Sequence, residues 1–176
     1  LHGLEGNTRR SYMLSCYQAL AVRGLTPVGM NFRSCSGEPN LRPRAYHSGE
    51  TGDPRMVLRR LRARFPGRSV GAMGISLGGN VLLKLLGEEP DPAADPGLPD
   101  AAAVVSVPFD LAAGADLLAS STVGRLYMRY FLRSLVGKME AKRPLVEGLI
   151  DLDGLTRVRT LREFDVPATD DAVRGL

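Results

Sequence analysis

Along the first hundred residues, segments with helically spaced apolar residues alternate with short continuous apolar runs. Three segments carry apolar residues at helical spacing, and three others are short apolar runs. The predicted helices cover 8–23, 54–65 and 77–86, and the predicted strands cover 25–32, 69–73 and 101–107. Strands that alternate with helices at this spacing indicate an α/β fold, with a mostly parallel sheet flanked by helices.

The pattern changes after residue 109. Strand signals stop, and 123–139 has the periodicity of one long helix. Its predicted apolar side consists of Leu126, Tyr127, Tyr130, Phe131, Leu135 and Met139. We therefore expect two regions: a partial core over 1–109, and a helical cap or lid region with an incomplete C-terminal tail over 110–176. The apolar side of this helix is expected to roof a cleft above Ser76; the alternative is that these residues simply pack onto the body of the domain.

Composition narrows the class of protein. The chain has 176 residues, of which 44% are hydrophobic and 24% charged, and this is typical of one soluble globular domain. The longest apolar run, 101–109, is about half of what a membrane-spanning helix needs. Two cysteines without metal-ligand spacing and no visible targeting segment favour free thiols and a cytoplasmic location, with no metal site.

Charge is distributed unevenly. Residues 1–70 carry a net charge of +8 and residues 71–176 a net charge of −4. A basic half can bind nucleic acid, but most of these arginines surround the helix predicted over 54–65, whose other side is apolar. A solvated helix face explains them, so we expect no nucleic-acid partner. Arginine outnumbers lysine 20 to 3, which is typical of coding bias in a GC-rich bacterial genome.

One motif carries chemistry: Gly74-Ile75-Ser76-Leu77-Gly78, between a predicted strand and a predicted helix. A nucleophile elbow turns so sharply that the serine is strained and Cβ atoms two residues away would collide with neighbouring backbone. Gly74 and Gly78 have no Cβ, and the amide of Leu77 would point at a developing oxyanion. Ser76 is thus the candidate nucleophile; the alternative is a tight glycine turn with a helix-capping serine.

A second segment, His2-Gly3-Leu4, begins the chain and resembles the end of a strand that leads into an oxyanion loop. The amide of Leu4 would be the second oxyanion donor. In that case His2 lines the site and shapes the loop, and does not act as the base. The alternative is a generic turn between a strand and a helix.

Other residues are weaker candidates. His47 lies in the long polar loop and either approaches the site or orders the loop. Asp110 either orients a base or caps the following helix. Cys35 lacks a sequence neighbour that would activate its thiol. The glycines of 71–80 lack the Lys-Ser/Thr pair of a phosphate-binding loop, so no nucleotide cofactor is expected.

Six segments that span most of the chain up to Asp165 carry a resemblance to a known family. They are 2–6 (HGLEG), 30–40 (MNFRSCSGEPN), 46–49 (YHSG), 74–80 (GISLGGN), 130–132 (YFL) and 161–165 (LREFD). On these segments the chain resembles the YheT-like family of α/β-hydrolases. The tail over 166–176 departs from the family pattern.

The resemblance implies an α/β-hydrolase core with a helical cap insertion. It also implies that Ser76 is the nucleophile, that Leu4 and Leu77 supply the oxyanion amides, and that carboxylic esters are hydrolysed without a cofactor. Members of the family act as esterases or acylglycerol lipases, so a small-molecule ester or acylglycerol is the expected substrate. The competing class is a non-catalytic α/β module that binds a ligand or partner.

The histidines predict an incomplete catalytic apparatus. α/β-Hydrolases supply acid and base after the nucleophile in the chain, yet both histidines, His2 and His47, precede Ser76. The resemblance places the acid and the catalytic histidine beyond Leu176. We therefore expect that the chain is truncated at both ends and is inactive by itself. The parent protein is expected to be a serine esterase or lipase.

Overall fold

The computed structural model describes residues 1–88 and 95–168, with the backbone alone for 165–168. Its elements are α1 Ser11–Ala21, α2 Gly52–Arg64, β1 Gly71–Ile75, α3 Leu77–Gly87, β2 Ala101–Val105, α4 Leu111–Ser120, α5 Thr122–Ala141, α6 Arg143–Val146, α7 Leu152–Leu155 and α8 Leu161–Ala168. The chain divides into two compact units. The first comprises Leu1–Phe32 and His47–Pro108, and the second comprises Arg33–Tyr46 and the described residues of Phe109–Leu176.

A small parallel sheet organises the first unit. β1 and β2 pair in register from Gly71 opposite Ala101 to Ile75 opposite Val105. On the other side of β1, the Leu1 amino group donates to the Met73 carbonyl at 2.5 Å, and the Ile75 N–H donates to the Leu1 carbonyl at 3.1 Å. β1 therefore lies between β2 and the first residue of the chain.

The core of this unit lies between the sheet and its helices. Side chains from α2, from α3 and from the segment before β2 form one buried cluster: Leu58, Leu82, Leu85 and Leu98. Burying such a side chain contributes roughly 1.5–3 kcal/mol. The cluster fixes α3 on the sheet and with it the turn from β1 into α3.

The prediction of a buried strand over 25–32 is wrong. Leu25 and Val28 are more than half exposed, and within the described ranges the segment pairs with no strand. At its end, the Asn31 side chain accepts a hydrogen bond from the Thr8 amide at 2.8 Å. An apolar run becomes a strand only where another strand offers its backbone groups, and none does so here.

The arginines of α2 form ion pairs within the unit. Arg55 and Arg59 both pair with Asp95, and Arg62 pairs with Asp100 at 2.8 Å. The hydrogen bond from Arg62 is the main cause that lowers the pKa of the Asp100 carboxyl below its usual value. These ion pairs fasten α2 to the segment that leads into β2, and the absence of a nucleic-acid partner stays a prediction.

Helices dominate the second unit. The side chain of Asp110 accepts from the Ala113 amide at 2.8 Å and caps α4, and Ser121 caps α5 through the Gly124 amide at 3.0 Å. Side-chain oxygens at these positions satisfy N–H groups that the helix itself leaves unpaired. The buried core is formed by Met128, Leu132, Met139, Val146, Leu152, Leu155 and Phe164. Capping by Asp110 agrees with the capping interpretation of that residue.

The predicted apolar side of α5 is buried in the core at Met139 but not along its whole length. Met128 and Leu132 are buried in the core, whereas Leu126, Tyr127 and Tyr130 are 62%, 57% and 50% exposed. α5 is the longest described helix, but none of the described helices is both long and apolar enough to span a membrane. That α5 roofs the active site, and that a cap begins at residue 110, stay predictions.

Lys142 is a buried charge at the end of α5, with only 2% of its surface exposed. Its Nζ donates to Asn40 Oδ1 at 3.1 Å and to the carbonyls of Pro43 and Arg44 at 2.7 and 3.0 Å. Burial, with a smaller contribution from the charge of Arg33, lowers the pKa of Lys142 from 10.5 to about 8. One amine therefore satisfies three acceptors of a loop without regular structure.

We expect Lys142→Met to lower the free energy of unfolding by about 2–4 kcal/mol at pH 7, because it removes three hydrogen bonds and takes from the partly buried Pro43 carbonyl the donor it has in Lys142. Between pH 8 and 10.5 the unfolded lysine holds a proton that the folded one has released, so the stability of the wild type relative to the variant rises with pH. Urea denaturation followed by circular dichroism at pH 7 and 9.5 measures both effects.

The exposed Lys84 provides the control. Lys84→Met should change the free energy of unfolding by about 1 kcal/mol or less, because its ion pair with Glu88 and its hydrogen bond to the Gly49 carbonyl are both exposed to solvent. If the difference between the wild type and Lys142→Met became smaller at the higher pH, the three oxygens would stabilise the charged amine more than burial destabilises it.

Candidate active site

Ser76 occupies a strained turn between β1 and α3. Its backbone angles are φ 53° and ψ −124°, in the left-handed half of conformational space that a residue with a side chain rarely adopts. The Ser76 amide donates to the Val105 carbonyl at 2.9 Å, and its own carbonyl accepts from the Gly79 amide at 2.8 Å. Strain of this kind costs about 1–3 kcal/mol and persists only where neighbouring structure enforces it.

Two glycines make this turn possible, because the absence of a side chain lets neighbouring backbone segments approach closely. A Cβ on Gly74 would overlap the carbonyl of Gly78. A Cβ on Gly78 would lie 2.6 Å from the His2 carbonyl oxygen and 2.8 Å from that of Leu1. The sequence motif thus corresponds to real steric contacts, and Gly78 brings α3 against the first residues of the chain.

The segment His2-Gly3-Leu4 lies beside the serine. A Cβ on Gly3 would be 3.1 Å from Ser76 Cβ and 3.6 Å from Ser76 Oγ. The Gly3 amide donates to the Tyr12 hydroxyl of α1 at 3.1 Å, and the Gly6 amide donates back to the Gly3 carbonyl at 3.0 Å. The structure therefore brings together two segments that are more than seventy residues apart in sequence.

Two N–H groups near the serine have no acceptor in the part of the chain that the structure describes. They belong to Leu77, the first residue of α3, and to Leu4, in the turn after Gly3. The N–H groups of a helix's first turn lack intrahelical partners and carry partial positive charge, so Leu77 is suited to stabilise an anion. Both amides can serve as oxyanion donors.

His2 is fully buried, and its hydrogen bonds determine its tautomer. Nε2 accepts from the Phe32 amide at 3.1 Å, and Nδ1 lies 2.8 Å from the Gly3 carbonyl. A neutral imidazole has one donor and one acceptor nitrogen, so this hydrogen-bond pattern assigns the proton to Nδ1. The ring also packs edge-on against Phe32, with the centroids 4.8 Å apart. Because both nitrogens are engaged, His2 holds the loop in shape and is poorly placed to take a proton from Ser76.

His47 also makes a local contact. Its Nδ1 accepts from the Gly49 amide at 3.1 Å, and the Gly49 carbonyl accepts from Lys84 Nζ at 3.0 Å. This arrangement orders the loop before α2. A role for His47 in lining the site stays a prediction.

Sequence reasoning did not single out two residues that position the site. Tyr12 anchors Gly3 through its hydroxyl, and Asn80 donates through Nδ2 to the Pro108 carbonyl at 2.8 Å. Asn80 thereby fixes the segment that follows β2 against α3. In the sequence only the position of Asn80, two residues after the elbow, could have suggested such a role. Among the described residues, no cluster of His, Cys, Asp and Glu could hold a metal ion.

Comparison with known proteins gives relatives along nearly the whole chain. It is 42% identical to "Putative esterase YheT" of Escherichia coli over 93% of its length, and 32% identical to a monoacylglycerol lipase of Saccharomyces cerevisiae over 94%. It is also 30% identical to phospholipase ABHD3 of Bos taurus over 94%. The chain covers 47%, 37% and 39% of these relatives, respectively.

No family model and no solved structure matches the chain. The relatives are nevertheless consistent with one another. The first three carry the names of an esterase, a lipase and a phospholipase, and each aligns over more than nine-tenths of the chain. The small parallel sheet flanked by helices is compatible with the α/β-hydrolase fold. By this similarity the chain belongs to the YheT-like family of α/β-hydrolases.

Proposed function

We propose that this chain carries the nucleophile and the oxyanion hole of a serine hydrolase that cleaves carboxylic esters. The observation that carries the proposal is the strained Ser76 at the start of α3, with Gly3 packed directly against it. A serine in a left-handed turn exposes its hydroxyl at the end of a strand, which is what an acyl-transfer nucleophile requires. The names of the relatives support an ester as the substrate class.

The reaction follows from these groups. Ser76 Oγ attacks the ester carbonyl carbon, and its proton passes to a general base. The carbonyl oxygen becomes an oxyanion that the amides of Leu4 and Leu77 stabilise; loss of one such donor typically costs about 3–4 kcal/mol of transition-state stabilisation. The alcohol leaves, and water then releases the acid from the acyl-Ser76 intermediate. No step needs a cofactor.

We also propose that the base and the acid lie outside these 176 residues. Neither histidine follows Ser76 in the sequence, and the nitrogens of His2 are both engaged. The chain spans less than half the length of the first relatives. The active form in this proposal is a longer protein that contains these residues, called here the full-length protein, and its substrate is a small-molecule ester or an acylglycerol.

A fluorophosphonate probe tests both proposals. We expect it to label Ser76 of the full-length protein rapidly, and the purified 176-residue chain at least about 10³-fold more slowly, because a serine without a base is a weak nucleophile. Peptide mapping of the adduct, with Ser76→Ala as the control, locates the site. Labelling of neither protein would favour a non-catalytic binding module.

Efficient ester turnover by the 176-residue chain would contradict the second proposal alone. If His47→Ala abolished that turnover, His47 would be the base, although its Nδ1 accepts from Gly49. The two proposals therefore fail in different ways.

A further inference from the structure

Cys35 and Lys138 form a close pair inside the second unit. Lys138 Nζ lies 3.1 Å from Cys35 Sγ, and the thiol-bearing residue is 5% exposed. The amine also lies 5.4 Å from the centroid of the Tyr46 ring. The two residues are 103 positions apart, so the sequence, in which Cys35 has no activating neighbour, gives no sign of this contact.

The surrounding structure holds both partners in place. Lys138 lies on α5, whose neighbouring side chains form the core of the unit. The segment that carries Cys35 is held by Lys142 through Asn40, and Ser34 donates to Asn40 Oδ1 at 2.7 Å. The helix that carries the amine and the segment that carries the thiol are therefore both held in place.

The Lys138 side of this pair is open to a small oxidant. A cavity of about 580 Å³ lies beside it, lined by Lys138 and by Ser34, the chain neighbour of Cys35. That volume is ample for dioxygen. A lysine amine beside a thiol stabilises the thiolate, which is the form of cysteine that oxidants attack.

We propose that Cys35 and Lys138 are a redox modification site, at which dioxygen joins sulfur and nitrogen through a single oxygen atom. Starting from the thiolate of Cys35 and the ammonium group of Lys138, two N–H bonds and the O–O bond break, while S–O and O–N bonds form. One oxygen atom becomes the N–O–S bridge and the other leaves as water with the two hydrogens. The pair gives up four electrons, and dioxygen accepts them.

The bridge would fasten the Cys35 segment to α5 by a covalent bond. Closing so long a loop restricts the unfolded chain, so the oxidised protein should unfold at a higher temperature than the reduced one. A thiol reductant should reverse the change. This site does not depend on the proposed ester hydrolysis.

Mass spectrometry of the chain kept in oxygen-saturated buffer at pH 8 tests the proposal directly. We expect the intact mass to rise by about 14 Da, for one oxygen gained and two hydrogens lost, and to return to its starting value with dithiothreitol. Trypsin should then release residues 34–44 joined to residues 134–142, since a bridged Lys138 is not cleaved.

Variants supply matched controls. Cys16→Ser should still form the bridge, whereas Cys35→Ser and Lys138→Arg should not. The wild-type peptide map decides the question even if a variant fails to fold. Gains of one, two or three oxygens on Cys35 without a linked peptide, a Cys16–Cys35 disulfide, or an unchanged mass would each overturn the proposal.

Discussion

Replacing Ser76 with alanine is expected to lower kcat/KM for p-nitrophenyl esters in the full-length protein by roughly 10⁴ to 10⁶-fold, because no other group can form the acyl intermediate. Alanine keeps the left-handed backbone strain of position 76, whereas glycine relieves it. Ser76→Gly should therefore be as inactive as Ser76→Ala but more stable to unfolding by about 1 kcal/mol or more. Ester assays and urea denaturation measure the two effects.

Ser106 is the matched control for this prediction. It also follows a strand and also has a left-handed backbone, with φ 53°. Ser106→Ala should keep ester turnover within a few-fold of the wild type. Wild-type turnover by Ser76→Ala on esters of every chain length would show that Ser76 is not the nucleophile.

Replacing Gly78 with alanine is expected to destabilise the chain by about 3 kcal/mol or more, because the new methyl group meets backbone atoms that cannot move aside cheaply. The carbonyl oxygens of His2 and Leu1 would lie 2.6 and 2.8 Å from it. Moving them shifts the Leu4 amide, so kcat/KM of the full-length protein should fall as well. Urea denaturation and ester assays measure these losses.

Gly87 lies at the other end of α3, and its replacement with alanine is the control that distinguishes the effect of a steric clash from that of helix propensity. A methyl group there meets nothing within 4 Å. Gly87→Ala should therefore be neutral or stabilise by up to about 1 kcal/mol. If Gly78→Ala proved as stable as Gly87→Ala, the close approach of α3 to the first residues of the chain would not be what holds the turn.

Local signals predicted the elements that build the candidate site. The apolar run over 69–73 and the helical spacing over 77–86 correspond to β1 and α3, and the glycines of the motif are where backbone meets backbone. Short-range sterics decide such a turn, so the sequence contains the information. The segment 25–32 shows the opposite case, because pairing depends on a partner strand and an apolar run does not reveal one.

Long-range contacts could not be predicted. Periodicity predicted one apolar side of α5 that includes Tyr127, but not that Met128 would be buried while Tyr127 stays exposed. The pairs Lys142 with Asn40 and Lys138 with Cys35 join positions about a hundred residues apart. Such pairs arise from the packing of a helix against a loop, which leaves no periodic trace in one sequence.

The one-sided pairing of β2 has a consequence for the colloidal behaviour of the chain. Within residues 1–88 and 95–168, β2 hydrogen-bonds only to β1, so the other edge of Ala101–Val105 presents unpaired backbone groups. The segment contains only alanine and valine, without the charge or proline that natural edge strands use against self-association. Unless another strand covers this edge, it is a template for β-pairing between molecules, and concentrated solutions of the 176-residue chain are prone to precipitate through it.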